Sequence, residues 1–278
     1  MAGLLKPDSA LAFMSSNIEL YQGICQLIRP VIANGRFRFW CDICEKITFA
    51  TANQDWNLRN SILCASCRQG GRQRHTFKVI KEAHRKRSFN RKVILEEVTS
   101  FKKLLDQKFG VFFGSEYLGE DKVGGVRYPC DGLIIQHEDI QALSYETESI
   151  DLLITLDVLE HIPSIPRALS ECNRILRPGG LFILTVPFYD QRNTNTRAAI
   201  VNGRLVNYSP QAFHGNPISK EGALVFTEPG VDLIASMVGA GFDVTLSLGA
   251  NIYDGLLPDG NPDPTWNCWN VVFRLEKL

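Results

Sequence analysis

Residues 150–188 read IDLLITLDVLEHIPSIPRALSECNRILRPGGLFILTVPF, and this single stretch contains a complete strand, helix, strand unit. Residues 150–156 are an apolar run with the length of a buried parallel strand, while Ile165, Leu169, Cys172, Ile175 and Leu176 recur at helical spacing. Arg177, Pro178, Gly179 and Gly180 then stop the helix, and 181–186 is a second apolar strand. Strands joined in this way point to a doubly wound α/β sheet, in which a ligand sits beyond the carboxyl ends of the strands. Asp157, Glu160 and His161, just past the first strand, therefore lie at the expected chemical edge.

The string Asp157-Val158-Leu159-Glu160-His161 and the run LRPGGLFILTVP at 176–187 resemble the fourth and fifth motifs of the class I S-adenosylmethionine-dependent methyltransferases. The resemblance implies a Rossmann-like, mostly parallel, seven-stranded sheet, S-adenosylmethionine as cofactor and methyl transfer as the activity. It also makes 150–156 the fourth strand, so three earlier strands are expected. Residues 92–96 (KVILE), 110–113 (GVFF) and 132–136 (GLIIQ) supply them, with a helix at 98–108 that carries Phe101, Leu104 and Leu105 on one face.

Carried over to these strands, the resemblance assigns cofactor contacts. Glu116 follows the second strand and is expected to accept both ribose hydroxyls, chemistry suited to the two oxygens of a carboxylate. Asp139 and Ile140 follow the third strand and are expected to meet the adenine amino group and ring. Glu96 keeps the acidic position after the first strand and Asp157 the one after the fourth. The family's glycine-rich first turn is missing, because Val98 stands where its first glycine would be. Either the cofactor is held further from this turn, with Thr99 and Ser100 offering hydroxyls, or cofactor binding has been lost.

With 278 residues, 45% apolar content and no net charge, the chain has room for one α/β domain and a smaller module. No apolar run approaches the ~20 residues that cross a bilayer, and the first residues lack the pattern of a secretory signal, so the expected setting is the cytoplasm. Four of the eight cysteines form two pairs, Cys41-x-x-Cys44 and Cys64-x-x-Cys67, nineteen residues apart. Two such turns can complete a closed tetrahedron of thiolates around a structural zinc ion. The remaining four read as ordinary packed residues. The expected organisation is a helical segment at 1–35, the zinc module with a basic helix at 36–88, and the methyltransferase-like domain at 89–278. Paired cysteines followed by Gly71-Arg72-Gln73-Arg74-His75 ahead of such a domain resemble bacterial methyltransferases with an N-terminal zinc-binding segment, and more loosely some sugar C-methyltransferases.

Between Arg68 and Lys92 ten basic residues face one acid, Glu82. Basic flanks on a zinc module are a nucleic-acid signature, but rings able to stack on bases are sparse, and Phe77, Ile80 and His84 at helical spacing describe an amphipathic helix with a solvated face. On the acceptor side, His161 and His214 are the candidate bases, histidine needing little tuning to take a proton near neutral pH. Residues 189–228, rich in Asn, Arg, Gly and Pro, read as a lid or substrate loop. A helix at 230–241, strands at 241–248 and 271–275 forming an antiparallel edge pair, and a rigid loop at 255–269 complete the expected fold. The leading functional reading is a methyltransferase for a small-molecule or carbohydrate-type acceptor. The other is a methyltransferase-like binding protein without turnover, whose zinc module recognises nucleic acid or protein.

Overall fold

A computed structural model describes residues 3–51, 57–96 and 98–278. Its centre is a six-stranded mixed sheet of β1 (Lys92–Ile94), β2 (Phe113–Gly114), β3 (Ile150–Leu156), β4 (Leu176–Thr185), β5 (Phe242–Leu248) and β6 (Val271–Lys277), in the order β5-β6-β4-β3-β1-β2. The first four run parallel, and β6 lies antiparallel between β5 and β4. The β5–β6 pair is thus the expected antiparallel end of the sheet.

A seven-stranded sheet was expected, and the strand that fails to join is the one at 132–136. Leu133–Gln136 instead folds back on Arg127–Cys130 as an antiparallel hairpin. The cause is local. Asp131 and Gly132 both take left-handed backbone (φ 46° and 78°), which is the two-residue turn that Asp-Gly favours and whose twist matches a tight hairpin. The tail of the hairpin comes alongside the chain just past β2, through an isolated parallel bridge from His137 to Glu116. The segment at 195–228 likewise departs from an open loop. It forms paired strands, Ala198–Val201 with Arg204–Asn207 and Phe213–Asn216 with Ser219–Leu224, closed at the base by Asn195–Thr196 against Thr227–Glu228. Here Asn202-Gly203 (φ 51° and 72°) makes the same kind of turn.

The helices are α1 (Pro7–Ala33), α2 (Gly71–Lys86), α3 (Ser100–Phe109), α4 (Ile165–Ile175) and α5 (Asp232–Gly239). Helix α4 buries Ile165, Leu169, Cys172 and Ile175 as their spacing predicts, with Ala168 beside them, whereas Leu176, expected on the same stripe, opens β4. It ends at Ile175, and β4 begins at once. Arg177 to Gly180 therefore form a bulged strand start, with a register shift against β3, where a separate break was expected. One apolar core joins α4, α5 and the first half of α1 to one face of the sheet. A second joins α2, α3, the cysteine module and the far half of α1 to the other.

Helix α2 is fastened to the sheet by a buried polar contact. His75 Nδ1 lies 3.1 Å from Asn270 Oδ1 and Nε2 lies 2.8 Å from Ser247 Oγ, while burial pushes its pKa down to about 4. A neutral imidazole satisfied at both nitrogens is thus part of the core. Phe77 and Ile80 are buried on this helix, and the His84 ring stacks on Phe109 at 4.6 Å. Much of the basic block is consumed internally. Lys78 pairs with Asp254, Lys81 with Glu45 and Arg87 with Glu276, while Arg74 donates to the carbonyls of Ile62, Asp254 and Gly255 beneath the Phe39 ring. Among the described residues no helix is long and apolar enough to cross a membrane.

Candidate functional site

The four sulfur atoms of Cys41, Cys44, Cys64 and Cys67 lie within 4.8 Å of one another, with Cys41–Cys67 and Cys44–Cys64 both at 3.8 Å. Tetrahedral bonds of about 2.3 Å from sulfur to zinc place sulfurs about 3.8 Å apart, so the spacing fits such an ion. The two turns are built alike. Glu45 N donates to Cys41 O and Arg68 N to Cys64 O, and Glu45 and Arg68 both take left-handed backbone (φ 53° and 61°). The amides of Ser66 and Cys67 also point at Cys64 Sγ, each at 3.4 Å, the kind of donor that a bound thiolate uses. All four cysteines are free thiols.

Between the two pairs, the short helical turn Leu58–Ser61 carries Arg59, which is fully buried and reaches the end of β3. Its guanidinium donates to both oxygens of Asp157 at 2.7 Å and to the Val186 carbonyl at 3.1 Å. Arg72, at the start of α2, pairs with the same carboxylate at 2.5 Å, and Thr185 Oγ1 donates to it at 2.8 Å. Burial alone would raise the pKa of Asp157, but the two guanidinium groups hold it well below the usual carboxylate range. Asp157 is therefore an anchored anion. The sequence carried no signal for Arg59, because a lone arginine between cysteine pairs has no spacing to read.

A cavity of about 1600 Å³ opens at the carboxyl ends of β1, β2 and β3. It is larger than the ~300–1,000 Å³ of a single small-molecule site, which leaves space for two ligands side by side. Glu96, Thr99, Glu116, Asp139, Ile140, Asp157, His161 and His214 all line it, so residues spread over the chain are brought to one opening. Within it, Glu116 Oε1 accepts from Val98 N at 3.1 Å, which ties the glycine-free turn to the end of β2. Thr99 Oγ1 accepts from Lys102 N at 3.2 Å and caps α3. Asp139 Oδ1 accepts from Gln141 N at 2.8 Å, and Ile140 is buried beside it. Removal from water pushes Glu96 up to about 8; Arg72 opposes this, Glu116 and Asp157 add to it, and the Thr99 hydroxyl opposes it.

At the other end of the cavity, Glu160, His161 and His214 converge. His161 Nδ1 lies 2.8 Å from the Leu224 carbonyl, and the two imidazole rings meet edge to face at 5.0 Å. His214 is delivered by the hairpin of residues 213–224, where it pairs with Ala223. The strands at 195–228 thus furnish one wall of the cavity. The loop at 255–269 contributes Asp259 and Cys268 to the lining, and Arg29 of α1 donates to the Asp259 and Gly260 carbonyls.

The family model of the methyltransferase domain matches residues 116–184, which include Glu116, Asp139, Ile140, Asp157, Glu160 and His161. A probable S-adenosylmethionine-dependent methyltransferase of Mycolicibacterium smegmatis is 34% identical over 68 residues, 24% of this chain. That stretch spans 26% of the relative's length. Among solved structures, the chain is similar to an S-adenosylmethionine-dependent methyltransferase from Mesorhizobium loti, with 14% identity, 73% of this chain and 98% of that one covered, and a TM-score of 0.45. It is also similar to phosphoethanolamine N-methyltransferase 2 of Haemonchus contortus, with 13% identity, 73% and 52% covered, and a TM-score of 0.41.

Proposed function

We propose that this chain is an S-adenosylmethionine-dependent methyltransferase acting on a small-molecule or carbohydrate-type acceptor. The observation that carries the reading is the convergence of Glu96, Glu116, Asp139 and Ile140 on one cavity at the strand ends, the last three inside the stretch that matches a methyltransferase domain. S-adenosylmethionine, when bound, supplies an electrophilic methyl group on a sulfonium centre. Glu116 is suited to the ribose diol, Asp139 and Ile140 to the adenine edge and face, and Glu96 with Thr99 to the amino acid part. Asp157, anchored by Arg59 and Arg72, acts chiefly by placing those guanidinium groups on the cavity wall. Methyl transfer is an in-line displacement, so the protein's share is alignment, plus removal of a proton where the acceptor carries one. His161 and His214 stand at the acceptor end for that task.

The four cysteines are read as ligands of one structural zinc ion. The closed tetrahedron leaves no open position for chemistry, and its role is to hold the chain that carries Arg59 against the end of β3. Thiolates that must stay reduced suit a cytoplasmic setting.

A second reading draws on the glycine-free turn and on Asp157 being engaged by two arginines: a methyltransferase-like protein that binds without turnover. The internal pairing of the basic helix speaks against nucleic acid as its partner. Titration calorimetry with S-adenosylmethionine and S-adenosylhomocysteine decides between them. Saturable binding of both is expected, and heat no greater than dilution for either ligand would leave the binding-protein reading.

A further inference from the structure

The Glu160 side chain is almost fully buried, at 1% exposure, yet among the described residues neither of its carboxylate oxygens finds a hydrogen-bond donor. A carboxylate buried in this way is strongly unfavourable unless a cation or donors compensate it. What faces it is two imidazoles. Glu160 Oε1 lies 3.6 Å from His161 Nε2 and 3.8 Å from His214 Nδ1, and one ligand atom from each of the three residues falls within 4.8 Å of the others.

These contacts are too long for hydrogen bonds. Bonds of about 2.0–2.2 Å from nitrogen or oxygen to a divalent ion put neighbouring ligand atoms about 3.0–3.6 Å apart. The observed separations close around such an ion with small side-chain shifts. His214, 47% exposed on its hairpin, has the freedom to make them. A carbonyl can only accept, so the 2.8 Å contact with Leu224 O puts a proton of His161 on Nδ1, and in the neutral ring the Nε2 lone pair then faces Glu160. Imidazoles that ligate metals are commonly oriented by such a bond from the other ring nitrogen.

We propose that Glu160, His161 and His214 hold a divalent transition-series cation at the acceptor end of the cavity, distinct from the four-cysteine site. Two imidazoles and one carboxylate suit zinc, iron(II) or manganese(II), and three protein ligands leave positions open. Both histidines line the cavity while Glu160 sits behind them, so the open positions face the acceptor. The ligand class that follows is an acceptor presenting oxygen donors, a hydroxyl or a pair of neighbouring hydroxyls. This deepens the methyltransferase reading and rests on it for the acceptor's role. It also gives the histidines a task in place of the base role described above, since a ring-nitrogen lone pair bound to a cation cannot take a proton.

The test is titration of Mn²⁺ into the purified protein, followed by the loss of the free-ion signal in electron paramagnetic resonance. Mn²⁺ has little affinity for thiolates, so the cysteine site does not compete. The parent is expected to bind one equivalent. Glu160→Gln and His214→Ala should each weaken binding by about ten-fold or more, a loss already seen when only an outer partner of a ligand is removed. His214→Ala, on an exposed hairpin, keeps the test valid should Glu160→Gln misfold. A parent that leaves Mn²⁺ free at millimolar concentration, or variants that bind it as the parent does, would overturn the site. Calorimetry with S-adenosylhomocysteine on the same samples separates the two ideas. Cofactor binding without Mn²⁺ binding removes the cation site alone, and Mn²⁺ binding without cofactor binding supports the site while removing methyl transfer.

Discussion

The carboxylate of Asp157 and the guanidinium of Arg59 meet in two parallel hydrogen bonds of 2.7 Å across 98 residues of chain. The pair joins the cysteine module to the end of the central strand, and Arg59 is 1% exposed. Breaking a buried pair by removing one partner leaves an uncompensated charge. Arg59→Ala is therefore expected to cost about 3–5 kcal/mol in urea unfolding. Arg59→Lys should recover only part, because an ammonium cannot reproduce the two-pronged contact. An alanine variant as stable as the parent would show that Arg72 alone carries the anion.

The approach of Arg59 depends on the two glycines that open α2, Gly70 at its cap and Gly71 as its first residue. A Cβ on Gly71 would stand 2.7 Å from the Arg59 carbonyl oxygen, and one on Gly70 would stand 2.4 Å from that of Asn60. Both obstacles are backbone. Gly71→Ala should destabilise by about 1–3 kcal/mol, the usual cost of forcing atoms into a packed site. Unchanged chemical denaturation would mean that this junction is looser than its geometry indicates.

Elemental analysis should find one equivalent of zinc that stays with the protein through dialysis, with the four paired thiols unreactive until a chelator is added. Because ion binding is coupled to folding of the module, chelation should also expose the chain between the cysteine pairs to protease. Less than about a tenth of an equivalent, with all four thiols freely reactive, would remove the zinc assignment.

Glu116→Ala is expected to weaken cofactor binding by about 1.5–3 kcal/mol, the range for hydrogen bonds to a charged group, with the fold retained. Calorimetry with S-adenosylhomocysteine reads this directly. Equal affinity in parent and variant would take Glu116 out of the ribose contact.

Glu96 gives stability a pH dependence. The unfolded chain releases this proton near pH 4.5 and the folded chain near 8, so between these values the folded state binds more protons. Its contribution to stability is complete below the lower value, falls as pH rises through the window and is lost above the upper one. Glu96→Gln removes the titration, so its melting temperature relative to the parent should rise from about pH 5 to about pH 8. Parallel melting curves across that range would contradict the shift.

The strand, helix, strand unit at 150–188 was legible because its signals are local. A run of buried apolar residues and a helical stripe are decided by neighbours a few positions away, and both cysteine turns follow from their own spacing. The same local logic was available for Asp131-Gly132 and Asn202-Gly203. Their left-handed turns explain why 132–136 left the parallel sheet and why 195–228 formed paired strands. What only the tertiary structure decided is which distant side chains meet. Arg59 and Arg72 on Asp157, His75 between Ser247 and Asn270, and His214 beside Glu160 are contacts across many tens of residues. No periodicity encodes them. They arise because a buried charge or polar group must find its complement wherever the packed core brings one within reach, and that reach is a property of the assembled layers.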